Sequence, residues 1–121
     1  MEPYSPDYDR AREHAATLRE IFRLQSDGSA QPELLARVSA LCAASAAAVD
    51  DAHCRLRLEL LKNQATLLFG GDQPWIRGVS VGPQALRLQA LKLVSSFERW
   101  LDRAELQSLV ATLPPAPRPR P

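Results

Sequence analysis

Apolar positions recur along this chain at three- and four-residue spacing, the period of an amphipathic helix. They do so over stretches free of glycine and proline: between Pro6 and Gly28, between Pro32 and Gly70, and between Pro83 and Pro114. Those gaps predict three helices. The first opens at Ser5-Pro6, an N-cap residue followed by a proline tolerated at the first helical position. It puts Ala11, Ala15, Leu18, Ile21 and Phe22 on one face, and Ser26-Asp27-Gly28 ends it. Asp7 and Asp9 suit the positive end of its dipole and Arg23 its last turn.

The second predicted helix runs from Pro32 to Phe69, with Ser29 as its cap and Gly70-Gly71 as its stop. Leu35, Cys42, Val49, Leu56 and Asn63 repeat every seven residues, flanked by the row Ala46, His53, Leu60 and Leu67. Such spacing predicts lengthwise packing against another helix. Unbroken, it would be roughly 57 Å long. That is more than a 121-residue monomer needs, so a homodimer is expected. The third helix starts at Pro83 and reaches Leu113, with Leu86, Ala90, Leu93, Phe97, Leu101 and Ala104 on one face. Asp102-Arg103-Ala104-Glu105 has capping-box spacing, which allows a restart and a short fourth helix. The connection Gly70–Gly82 is long and apolar, and Val79 and Val81 alternate around Ser80 as in an extended piece. The final Pro-Pro-Ala-Pro-Arg-Pro-Arg-Pro cannot be helical and reads as a solvated tail.

The expected architecture is thus an all-α bundle of three long helices with a possible short fourth, built around a long helix hairpin. Residues 1–113 form one domain and 114–121 a Pro-rich tail. The expected core is Leu18, Phe22, Leu35, Val38, Cys42, Val49, Leu56, Leu60, Leu67, Leu86, Leu93, Phe97 and Leu101. Composition agrees with a helical fold. Leucine occurs 19 times and alanine 18, against eight isoleucine and valine residues together. Thirteen arginines against two lysines fit a GC-rich bacterial coding sequence.

Charge narrows the function classes. The formal net charge is +1, without the basic excess usual in a nucleic-acid binder. The first residues carry no basic start or apolar run of a signal peptide. The most apolar stretch, Val38 to Val49, is too short to span a bilayer. Cys42 and Cys54, set roughly 18 Å apart on one continuous helix, would be reduced thiols of a cytoplasmic protein.

Few residues offer chemistry. No phosphate-binding glycine motif is present. Asp50, His53 and Cys54 supply two or three metal ligands beside Arg55 and Arg57, and His14 joins them only if the fold brings it. Neighbouring helical residues diverge by about 100°, so His53 cannot serve Cys54 as a catalytic base. Asp50 and Asp51 diverge in the same way. The seam Ala40, Ala44, Ala48 and Ala52 reads first as packing and second as a docking groove. Trp75-Ile76 in the long connection suits a partner contact, since tryptophan is enriched at interface hot spots, or alternatively plugs the bundle end. Arg99 and Arg103 make a small basic patch diluted by Glu98 and Asp102, while Trp100 lies near the core face. The tail's P-x-x-P, at Pro114 and Pro117, lacks the basic residue an SH3 ligand needs.

By subtraction, the expectation is a non-enzymatic regulator without cofactor or metal that binds and blocks a partner protein. Its concrete form is a cytoplasmic anti-activator sequestering a transcription factor. The expected contact is Trp75, Ile76, Arg77, Val79, Arg99 and Arg103. Alternatives are a secretion-type chaperone for an export substrate, a small-molecule or metal sensor at Asp50, His53 and His14, and a DNA-associated helical protein.

Overall fold

Four helices and a minimal hairpin make up the described residues of the computed structural model, which covers 5–23, 30–70, 75–76, 79–80 and 82–113. Helix α1 spans Tyr8–Arg23. Asp7 caps it in place of Ser5. Its carboxylate accepts from the Arg10 N–H at 3.0 Å, and its own N–H donates to the Ala48 carbonyl at 2.9 Å. The capping residue therefore also ties the start of α1 to the end of α2.

Where the sequence predicts one helix, the chain makes two: α2, Pro32–Ala48, and α3, Ala52–Phe69. The break is chemical. Val49 turns extended, with φ −134° and ψ 106°, and is buried in that conformation. Asp51 is also extended and caps α3, its Oδ2 accepting from the Cys54 N–H at 2.9 Å. Aspartate is among the strongest N-cap residues, so the Asp50-Asp51 pair is a helix start that no glycine or proline announces. The α2 cap is Gln31, without a side-chain bond; the expected cap Ser29 lies outside the described residues.

The break explains three misplaced core residues. Interrupting the helix resets its phase, so the seven-residue rows do not continue onto one buried face. In α3 the buried set is Cys54, Leu58, Leu61, Ala65, Leu68 and Phe69, whereas Leu56, Leu60 and Leu67 are 52%, 41% and 38% exposed. Leu35 and Leu93 are half-buried against the core; the other expected core residues are buried.

Strands β1, Trp75–Ile76, and β2, Val79–Ser80, pair antiparallel with Trp75 opposite Ser80 and Ile76 opposite Val79. Helix α4 then runs unbroken over Pro83–Thr112 from the N-cap Gly82. It does not restart at Asp102, whose carboxylate is engaged by Arg12 instead.

Each helix packs against two others, α1 on α2 and α4, α3 on α2 and α4. Cross-links set the directions. Asp7 meets Ala48, Gln31 donates to the Phe69 carbonyl, Gln64 donates to the Leu86 carbonyl, and Tyr8 donates to the Ala104 carbonyl. Each joins the start of one helix to the end of a neighbour, or nearly so, which gives an up-down-up-down four-helix bundle. Phe22 and Phe69 stack across the bundle with centroids 5.9 Å apart. With the long helix folded back on itself, one chain closes its own core, and the length argument for a second copy no longer applies. The 114–121 tail lies outside the described residues.

Candidate docking face

The carboxylates of α4 gather on one side. Its three acidic residues all face α1. Arg12 reaches the Asp102 and Glu105 carboxylates, each at 2.8 Å, and Arg19 pairs with Glu98 while its guanidinium also reaches Ser95 Oγ. The hydrogen bonds to Glu105 and then Asp102 hold the Arg12 proton more tightly than usual, and Glu98 does the same for Arg19. These carboxylates therefore do not dilute the arginine patch, contrary to the sequence expectation.

The opposite edge of α4 meets α3 around Trp100. The His53 ring stacks on the Trp100 indole with centroids 3.9 Å apart and planes 9° from parallel. The Arg57 and Arg103 guanidinium carbons lie 5.0 and 5.3 Å from the same ring, within cation–π range. Arg57 also donates to Ser96 Oγ and the His53 carbonyl. Among the described residues, no carboxylate pairs with Arg57, Arg99 or Arg103. The only acidic residue of α3, Glu59, pairs with Lys62. Beside this cluster, Leu56, Leu60 and Leu67 form the exposed stripe of α3. Beyond Ala104, where Tyr8 meets it, α4 runs on to Thr112 with Leu106, Leu109 and Val110 exposed.

Of the expected contact residues, Arg103 belongs to this cluster and Arg99 is exposed one turn before it. Trp75, Ile76 and Val79 lie in the hairpin, and Arg77 falls outside the described residues. Sequence reasoning missed Arg57, His53 and Trp100 as one group. His53 and Arg57 stand four apart on a helix, a signal that was legible, but their meeting with Trp100 required the fold.

The other sequence candidates separate. His14 lies with Asp7 and Arg10 beside Ala44, Ala47 and Ala48 in an open depression between α1 and α2, while His53 is on Trp100 and Asp50 is near Arg55. Among the described residues, no three His, Cys, Asp or Glu side chains are grouped to hold a metal ion. The alanine seam does not pack inside this chain: Ala40, Ala44 and Ala52 are exposed, and Ala52 belongs to a different helix. Cys42 and Cys54 are buried and unpaired. Burial pushes both thiols up to about 12, with Asp51 adding to the effect at Cys54, so neither is a ready nucleophile. No described helix is long and apolar enough to cross a membrane. The chain matches no protein-family model, no curated protein and no solved structure.

Proposed function

We propose that the protein is a non-enzymatic regulator that binds a partner protein and holds it out of its active assembly. The observation that carries this reading is the α3–α4 face. Two arginines without a carboxylate partner among the described residues flank a half-buried tryptophan. Leucines the bundle does not cover lie alongside. Arginine, tryptophan and apolar surface with a polar rim are the composition of protein-binding hot spots. Blocking then works by mass action, since a protein that binds one state of its partner depletes the other. The concrete form is a cytoplasmic anti-activator sequestering a transcription regulator, with the Trp75–Ile76 hairpin as a second contact.

The test is a pull-down from native lysate with tagged wild type, Arg57→Glu/Arg103→Glu and Trp75→Ala, with helicity checked by circular dichroism. One stoichiometric partner, lost in the arginine variant at unchanged helicity, is expected. A partner retained equally by all three proteins removes this surface from the reading. No partner at all removes the reading itself.

A further inference from the structure

The α3–α4 face has a sign as well as an apolar stripe. Every acidic residue of α4 turns toward α1, where Arg12 and Arg19 engage it. Glu59 of α3 is engaged by Lys62. What faces outward along the shared edge is basic: Arg57 and Arg103 at Trp100, with Arg99 and Lys92 exposed on the preceding turns of α4. Next to them, Leu56, Leu60 and Leu67 run along three turns of α3, roughly 17 Å. In a chain whose charges nearly cancel, with 15 basic and 14 acidic side chains, this local excess is a matter of placement rather than composition.

We infer that this face receives an acidic amphipathic helix of a partner protein. The helix sets its apolar side on Leu56, Leu60 and Leu67 and its carboxylates on Arg57, Arg99 and Arg103. Leu56, Leu60 and Leu67, at i, i+4 and i+11 with the exposed Asn63 between the last two, lie along one side of α3 and offer apolar contact to a helix laid lengthwise beside it. Arginine's planar fork donates two hydrogen bonds at a time to a carboxylate. A second copy of this chain fits poorly, because a two-fold contact would lay the same basic edge against itself. A nucleic-acid strand would leave the leucine stripe uncovered. The inference rests on the partner-binding reading above and specifies the chemistry of the partner.

The probe is a labelled peptide of about 20 residues, with leucine at i, i+3, i+4 and i+7 and glutamate along both flanks. A second peptide carries lysine in place of each glutamate. Both are titrated against the full chain by fluorescence anisotropy. The glutamate peptide is expected to bind at least about tenfold more tightly at about 50 mM salt, with the gap narrowing toward about 500 mM as screening rises. Arg57→Glu/Arg103→Glu should invert the preference. The milder Arg57→Gln/Arg103→Gln, which keeps polar side chains at both sites and leaves Arg99 in place, should narrow it at unchanged helicity. Equal or tighter binding of the lysine peptide overturns the inference, as does a preference unchanged in the glutamine variant. So does a DNA duplex that binds more tightly than the glutamate peptide with a steeper salt dependence. If neither peptide binds but the pull-down partner is still lost in the arginine variant, the acidic-helix chemistry fails and the partner-binding reading stands. If the pull-down is also empty, both fail.

Discussion

Replacing Asp51 with alanine tests the feature that turns a single long helix into a bundle. In the native chain the Asp51 carboxylate accepts from the Cys54 N–H at 2.9 Å, and its carbonyl accepts from the Arg55 N–H at 2.9 Å. Only the first bond is lost in Asp51→Ala. Losing an N-cap oxygen costs about 1 kcal/mol, within a range of about 0.5–2. Alanine also favours helix through the turn by a few tenths of a kcal/mol over aspartate, which works for the straight alternative. Unfolding entropy of about 2.1 cal/mol/K per residue gives roughly 0.25 kcal/mol/K for 121 residues. The expected loss in Tm is therefore about 4 °C, and about 2–8 °C across the range. Thermal unfolding followed by circular dichroism measures it, beside Asp51→Asn and Asp51→Ser, which keep an acceptor oxygen. Those two lack the charge at the helix's positive end, which contributes about 0.3–1 kcal/mol, so they should recover only the hydrogen-bond part of the loss. If Asn and Ser fall as far as Ala, the oxygen is not the cap. If Ala melts with wild type, the Asp51 cap does not hold the turn, and a capped break between α2 and α3 is refuted.

Neighbouring leucines should part company in the same assay. Leu61 is fully buried and Leu60 is not, so Leu61→Ala should cost about 2–5 kcal/mol and about 8–20 °C of Tm, whereas Leu60→Ala should stay within about 1 kcal/mol. The reverse order would restore the continuous-helix register. Cys42 and Cys54 should resist a thiol reagent in the native protein and react on adding denaturant; rapid native labelling of either would contradict their burial. Their folded pKa values are raised from 9.0 to about 12, so the unfolded chain sheds these protons first. The stability they contribute is complete below about pH 9 and falls between about pH 9 and 12, by at most about 1.4 kcal/mol per pH unit for each thiol. The Cys42→Ala/Cys54→Ala protein should therefore lose less Tm than wild type between about pH 8 and pH 10, and an equal drop would contradict the linkage.

The helical class and three helix limits set by proline or glycine were legible because those residues act locally. Pro32 opens α2, Gly70 stops α3 and Pro83 opens α4. The α2–α3 turn was not legible as a break. Its residues, Val49-Asp50-Asp51, contain no helix breaker, and a cap aspartate reads the same as a surface aspartate until the backbone is seen. One consequence propagated. A row of leucines at seven-residue spacing reports that something apolar packs there, and says nothing of whether the same chain supplies it. By spacing alone Leu56 and Leu60 read as core, yet they are exposed.

The same ambiguity gives the docking face its meaning. A leucine stripe on α3 could be left over from folding, uncovered only because the chain ran out of helices. The charges argue otherwise. Arg12 and Arg19 of α1 gather α4's carboxylates to the side that closes the bundle, and the arginines beside the stripe are left with Trp100 and His53 rather than with carboxylates among the described residues. Stability alone does not require this arrangement, because exposed ion pairs contribute only about 0–1 kcal/mol wherever they are placed. Carboxylates on the other edge of α4 could have neutralised Arg57 and Arg103 at little cost. Their placement toward α1 leaves an unneutralised basic edge beside exposed leucines, and an acidic amphipathic helix is the occupant that satisfies both at once.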